Sequence, residues 1–315
     1  MNLLLTGSFD AAERDTWAAA LRQALPGHRL LLARGELADD AIDAAIVANP
    51  PPGSLQGLPR LQLIQTLWAG VDRLLGDASL PAGVPVARMV DPAMNAAMAE
   101  TALWAVLALH RGFFTYARQQ QQGRWQQHAQ RRADEVPVLV LGLGQMGGAV
   151  VRRLQQQGYP VTAWRRGAGD AASGVPGVHV ASGSDGLHAA LAGARVLVNL
   201  LPLTPDTRGL LDAALFNRLP RGAAVVNLAR GAHVVDADLL AALASGQVGH
   251  AVLDVFHAEP LAADHPFWAH PRVTVLPHVA AQTDERSAAA VVAANIDALA
   301  AGAPLRHLVR RDAGY

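Results

Sequence analysis

Short apolar runs alternate with amphipathic stretches along the first third of the chain: apolar at 3–5, amphipathic at 11–25, then apolar at 30–33 and 44–48. That alternation predicts an α/β domain built on a parallel sheet. A further strand is expected at 61–66, running directly into Trp68-Ala69-Gly70-Val71-Asp72. A glycine-containing turn after a strand is where such sheets bind ligands. From 92 to about 118, apolar residues recur at spacings of three and four, with Met94, Met98, Leu103, Val106 and Leu107 among them, which predicts one long helix bridging two domains. The glutamine-rich 119–130 reads as a solvated helix end or loop. From 136 onward a second series places strands near 137–142, 160–164, 195–200, 223–227, 249–253 and 273–276, with helical segments between them. This is the pattern of a doubly wound sheet. A last helix, at 284–301, lies beyond it and is expected to return to the first domain.

Composition narrows the function classes. The 315 residues are 51% hydrophobic, enough for two cores. Basic and acidic residues balance at 26 each, so no field draws the chain to nucleic acid or an anionic membrane. All 26 basic residues are arginine. Without lysine there is no phosphate-binding P-loop, no pyridoxal or aldolase Schiff base, and no Tyr-x-x-x-Lys dehydrogenase pair. Without cysteine there is no disulfide, thiolate nucleophile or cysteine-held metal, which fits a reducing compartment. The start, Met1-Asn2-Leu3-Leu4-Leu5-Thr6-Gly7, lacks a cationic region and reads as a strand rather than a signal peptide. The longest helix-like apolar stretch, 102–109, is well short of the ~20 residues of a membrane span. A cytoplasmic protein is expected.

The run Val138-Leu139-Val140-Leu141 leads into Gly142-Leu143-Gly144-Gln145-Met146-Gly147, and a helical stretch follows. Three glycines at these offsets are a weak signal alone; the strand before and the helix after make it a dinucleotide-binding turn. Gly142 is expected to permit the tight turn, Gly144 to let the backbone approach a pyrophosphate, and Gly147 to let helix and strand pack closely. The helix N-terminus then faces the phosphates. The next strand ends at Arg165 and Arg166, where an acidic residue would accept the ribose hydroxyls of NAD. Guanidinium groups there favour a 2′-phosphate, so NADP(H) is expected ahead of NAD(H). Three more residues stand just beyond strands: Arg230, Glu259 and His278. On spacing alone these also read as a capping residue, a loop acid and one of twelve histidines.

The motifs Leu201-Pro202-Leu203-Thr204-Pro205-Asp206-Thr207-Arg208-Gly209, Asn227-Leu228-Ala229-Arg230-Gly231, Leu253-Asp254-Val255-Phe256-His257-Ala258-Glu259-Pro260-Leu261 and Pro277-His278-Val279 resemble the D-isomer-specific 2-hydroxyacid dehydrogenase family in order and spacing. Within it they are most similar to the bacterial glyoxylate/hydroxypyruvate reductase A branch. Ala229-Arg230-Gly231-Ala232-His233-Val234-Val235, Ala280-Ala281 after the histidine motif, and the terminal Arg311, Gly314 and Tyr315 all match that branch. The resemblance implies two Rossmann-like doubly wound α/β domains with a cleft between them. A flavodoxin-like substrate domain would comprise 1–95 and 285–315, and a dinucleotide-binding domain 96–284.

It also implies a chemistry, the reduction of small 2-keto acids. His278 would protonate the keto oxygen, Glu259 would hydrogen-bond the imidazole and favour its charged form, and Arg230 would bind the substrate carboxylate. The turn at Trp68, Ala69 and Gly70 would meet the same carboxylate through backbone amides. The cofactor would be held by Gly142, Gly144, Gln145, Met146, Gly147, Arg165, Arg166, Leu201, Pro202, Thr207, Ala229, Asp254, His278 and Ala280. Two positions depart from the wider family: Arg165 stands where NAD-dependent members carry aspartate, and Leu200 where histidine is common. A homodimer formed through the 92–118 helix is expected from the family. The competing class is a dehydrogenase-fold protein that senses nucleotides without turnover, and the intact Arg230, Glu259 and His278 set argues against it.

Overall fold

A computed structural model of the chain describes residues 1–167 and 175–315. The chain divides into two compact units, Met1–Met94 with Thr283–Tyr315, and Asn95–Gln282.

The first unit begins with β1 (Asn2–Gly7), α1 (Ala11–Ala24), β2 (Arg29–Leu31), β3 (Ala44–Ala48), β4 (Leu63–Thr66), α2 (Asp72–Leu75) and β5 (Val86–Ala87). Its strands lie in the order β2-β1-β3-β4-β5 with every pair parallel, the flavodoxin-like arrangement. β3 and β4 are buried along their whole length, as central parallel strands covered on both faces must be. β2 is shorter than the apolar run suggests, because the Glu36 carboxylate takes the amides of Leu32 and Ala33 at 2.7 and 2.9 Å. β4 starts two residues late because the Leu61 amide is used in a turn, bonding the Leu58 carbonyl. β5 has two residues, too few to leave a periodic signal.

The second unit contains α3 (Pro92–His110), which starts in the first unit, then α4 (Phe113–Gln121), β6 (Val138–Leu141), α5 (Gln145–Gln156), β7 (Val161–Arg165), β8 (His179–Ser182), α6 (Gly183–Leu191), β9 (Val196–Asn199), α7 (Ala213–Phe216), β10 (Ala223–Asn227), α8 (Asp236–Ser245), β11 (Val248–Leu253), α9 (Pro266–Ala269) and β12 (Val273–Val275). The chain then returns to the first unit as α10 (Glu285–Ala300), capped by Asp284 and packed on α1. The seven strands lie in the order β12-β11-β10-β9-β6-β7-β8, all parallel. Strand order reverses between β6 and β9, which makes their carboxyl ends the switch point of the sheet. Leu139, Leu141, Leu197, Val225 and Leu253 fill a core on one face, and Val138, Val140, Val198, Val226 and Val252 fill a second on the other. The strands therefore read as unbroken apolar runs rather than alternating ones.

Two sequence expectations are corrected here. The helix expected over 92–118 is two helices, α3 and α4, because Gly112 adopts φ 70° between them. The glutamine stretch is the solvated helix end and loop expected, exposed from Gln120 to Gln130; Gln119 alone is buried, its amide nitrogen 2.8 Å from His128 Nε2. α3 is also longer as an apolar helix than 102–109 suggests. Its 19 residues at mean hydropathy 1.2 have the length and composition that a membrane span also has, but Ala102, Ala105 and Val106 are fully buried in the second unit's core.

Candidate active site

The glycine turn sits at the carboxyl end of β6, at the switch point. Its three glycines stand in three different surroundings. Gly142 has φ 98°, and a β-carbon there would lie 2.8 Å from the Leu200 carbonyl oxygen beyond β9. A β-carbon on Gly147 would lie 2.0 Å from the Gly142 carbonyl oxygen, so this glycine packs on the turn itself. At Gly144, which caps α5, a β-carbon would meet no protein atom within 4 Å. Packing does not require glycine there; it leaves open space at the start of a 12-residue helix, where an anionic group is favoured by helix amides and dipole. A dinucleotide pyrophosphate fits that opening.

β7 ends at Arg165, and Arg166 follows it. The Arg166 guanidinium bonds Asp206 at 2.5 Å and reaches Thr204 Oγ1 at 3.4 Å, which ties the end of β7 to the 201–209 segment. Asp206 was not expected to have a part in the site.

Arg230, Glu259 and His278 follow β10, β11 and β12, three neighbouring strands, so the sheet order alone brings them to one edge. Glu259 is fixed from its own loop, because Oε1 accepts the Phe256 amide at 2.9 Å. Its other oxygen, Oε2, lies 2.7 Å from His278 Nδ1. His278 has φ 55°, an unusual conformation for a side-chain-bearing residue, and it is over-determined by its neighbours. Its amide bonds the Asp254 carbonyl at 2.9 Å, and the Asp254 carboxylate takes the next two amides, Val279 at 2.7 Å and Ala280 at 3.1 Å. Asp254 is 1% exposed, and burial pushes its carboxyl above the usual carboxylate range. Its two oxygens thus hold the backbone of the His278 loop.

The Arg230 loop is packed against the Glu259 loop. A β-carbon on Gly231 would lie 1.9 Å from the Phe256 carbonyl carbon, so only glycine fits. Nearby, His257 Nε2 bonds the Val234 carbonyl at 2.8 Å. Arg230 Nη1 donates to the Ala229 carbonyl at 2.7 Å. Beneath these loops lies a buried polar group that sequence reasoning did not assign: Asn199 Nδ2 donates to Asn227 Oδ1 at 3.0 Å, and Asn227 Nδ2 to the Arg230 carbonyl at 2.9 Å. The available signal was an asparagine ending each of two otherwise apolar neighbouring strands.

In the first unit, the Trp68 turn follows β4. Trp68 N donates to Thr66 Oγ1 at 3.0 Å, the Trp68 carbonyl accepts from Met89 N at 3.1 Å, and the indole packs edge-on to Trp17 at 6.1 Å. Ala69 and Gly70 sit in that turn before α2.

The profile described as D-isomer specific 2-hydroxyacid dehydrogenase, NAD binding domain, matches residues 103–280. The chain is 41% identical over 308 residues to glyoxylate/hydroxypyruvate reductase A of Serratia proteamaculans, covering 96% of each chain. To the protein of that name from Yersinia enterocolitica it is 38% identical, covering 100% of both. Among solved structures it is similar to a D-isomer specific 2-hydroxyacid dehydrogenase from Xanthobacter autotrophicus in complex with NADPH and MES, with TM-score 0.94, 39% identity, and 100% and 99% of the two chains covered. It also resembles the NADPH-dependent glyoxylate/hydroxypyruvate reductase of Sinorhizobium meliloti in complex with NADP and sulfate, with TM-score 0.91, 34% identity and the same coverage. Likeness of this extent, carried from end to end, makes the chain a member of the D-isomer specific 2-hydroxyacid dehydrogenase family.

Proposed function

We propose that this protein is an NADPH-preferring reductase of small 2-keto acids, converting glyoxylate to glycolate and hydroxypyruvate to D-glycerate. The observation that carries the reading is the 2.7 Å pairing of His278 Nδ1 with Glu259 at the ligand edge of a dinucleotide-type sheet. The carboxylate accepts from Nδ1, so Nε2 is the nitrogen that delivers a proton to the keto oxygen. Reduced nicotinamide, when bound, supplies the hydride. Arg230 binds the substrate carboxylate and polarises the carbonyl, a task suited to its planar donor fork. Backbone amides at Ala69 and Gly70, beside Trp68, are the first unit's carboxylate-binding turn. His278 regains its proton from water, since its side chain is half exposed.

NADP(H) lies along Gly142, Gly144, Gln145, Met146 and Gly147, with Leu201, Pro202, Thr207, Ala229, Asp254, His278 and Ala280 as its further contacts, and Arg165 and Arg166 at the 2′-phosphate. Residues 1–95 with 285–315 act as the substrate domain and 96–284 as the dinucleotide-binding domain. The enzyme works as a cytoplasmic homodimer paired through α3 and α4. What supports that pairing is one exposed large apolar side chain on each helix, Trp104 at 42% and Phe113 at 53%. Purified protein mixed with glyoxylate or hydroxypyruvate should consume NADPH absorbance, and faster than NADH absorbance. No loss with either acid would overturn the reading, and equal or better efficiency with NADH would overturn the cofactor preference.

A further inference from the structure

Building on the proposed reductase activity, we propose that His233 is a positioning residue. Its buried imidazole sets the backbone from which Arg230 projects against the 201–209 segment, and so tunes keto-acid binding.

His233 follows Arg230 in the short 3-10 turn Gly231–His233 and is 0% exposed. Its two ring nitrogens face two carbonyl oxygens: Nδ1 lies 3.1 Å from that of Arg230, and Nε2 lies 3.3 Å from that of Pro202. A carbonyl only accepts, so each bond requires a hydrogen on the ring nitrogen. The neutral ring makes one of them and the imidazolium both. The Arg230 carbonyl has two further donors, Asn227 Nδ2 at 2.9 Å and the His233 amide at 3.2 Å, and the Pro202 carbonyl has one, Thr207 Oγ1 at 2.8 Å. The chain continues through Asn227 Oδ1, which accepts from Asn199 Nδ2, to Asn199 Oδ1, which accepts the Leu201 amide at 3.3 Å. Asn199, Asn227, Thr207 and His233 are all buried.

The two segments are also joined further along, by the amides of Gly209 and Leu211 on the carbonyls of Ala232 and His233 at 2.9 and 2.8 Å. The imidazole joins them at the near end, directly beneath Arg230. A merely space-filling role at a fully buried site is met by leucine. Two ring nitrogens facing carbonyls on different segments let the imidazolium brace both and the neutral ring one of them, which leucine cannot do. Buried hydrogen-bonded chains fix geometry, and a displacement of about 1 Å at a substrate-binding group costs on the order of 10²-fold in rate.

The test is steady-state kinetics of the full-length wild type, His233→Leu and His233→Gln with glyoxylate and hydroxypyruvate, beside NADPH binding by fluorescence and thermal melts. Folded His233→Leu should raise the keto-acid KM about tenfold, with a smaller loss of NADPH affinity, because the glycine turn is untouched and the Pro202 carbonyl keeps its bond from Thr207 Oγ1 at 2.8 Å. His233→Gln, which keeps a donor, should lie between that variant and the wild type. If the leucine variant does not fold, the glutamine variant carries the test. A keto-acid KM within about twofold of wild type in the folded variants overturns the inference and leaves the reductase reading intact, as does failure of both variants to fold, which makes His233 a stability residue. A wild type inactive with both acids overturns the reductase reading itself, and the inference with it.

Discussion

The imidazole of His278 and the carboxylate of Glu259 meet at 2.7 Å through Nδ1 and Oε2, in a pair whose acid is itself anchored on the Phe256 amide. One ring nitrogen is thereby committed and the other is left for substrate. His278→Ala should lower kcat by about 10² to 10⁴ while NADPH binding, followed by fluorescence, stays near the wild-type value. Glu259→Gln should give a smaller loss, because the amide oxygen still accepts from Nδ1 without the charge. Wild-type turnover in His278→Ala would remove this histidine from the chemistry.

Asp254 should separate activity from stability. Its folded-state carboxyl titrates above the unfolded value, chiefly through burial. The contribution therefore favours the fold at low pH and is lost as pH rises through the folded value. Near neutrality the buried charge is a cost offset by the amides of Val279 and Ala280. Asp254→Asn removes the charge and one of those acceptors, so kcat should drop about tenfold as the His278 loop loosens. The melting temperature at neutral pH should hold or rise. A large loss of Tm with kcat unchanged would contradict this account.

The glycines should fail in different ways. A β-carbon on Gly231 would collide with the Phe256 backbone at 1.9 Å, and one on Gly147 with the Gly142 carbonyl at 2.0 Å. Gly231→Ala and Gly147→Ala should each destabilise by about 3 kcal/mol or more in denaturant melts, since backbone cannot give way cheaply. Gly144→Ala should fold normally and lose NADPH affinity, because its β-carbon would point into open space.

On the proposed reading Asp206 competes with the 2′-phosphate for Arg166, and an exposed ion pair is worth only about 0–1 kcal/mol. Asp206→Ala should therefore tighten NADPH binding by a few-fold and leave NADH unchanged. Arg166→Ala should lower kcat/KM with NADPH and not with NADH. Equal effects on both cofactors would place Arg166 away from the 2′-phosphate.

His250 offers a pH signature outside the site. Its ring stacks on Phe114 at 4.6 Å and bonds Thr274 Oγ1 at 2.9 Å. Burial, with Arg118, His270 and Arg272 nearby, pushes it down to about 4. The folded state thus binds fewer protons than the unfolded chain between that value and about 6.5, so stability is complete above this window and falls as pH drops through it. His250→Phe should flatten the dependence of Tm on pH between about 4 and 6.5. An unchanged slope would show that His250 does not set it.

Much of the architecture was legible because it depends on local periodicity. Apolar runs marked β3, β6, β9, β10 and β11 within a residue or so, since strands buried on both faces are mostly apolar. The single helix expected over 92–118 failed because Gly112, unremarkable in a helical pattern, takes a left-handed conformation. β5 and β8 were missed because one is two residues long and the other keeps exposed and half-buried positions at its start.

By itself the sequence determined the sheet class, the strand-turn-helix around Gly142, and the residues set just beyond strands, because each is written in short-range pattern. It also removed lysine and cysteine chemistry outright. Only the tertiary structure decided what those residues touch. Pairing of β10, β11 and β12 brings together loops 29 and 19 residues apart at Arg230, Glu259 and His278. Burial turned Asp254, Asn199, Asn227 and His233 from ordinary polar residues into partners of specific backbone atoms. Such contacts arise from strand order and packing between distant segments, and local pattern carries no record of them.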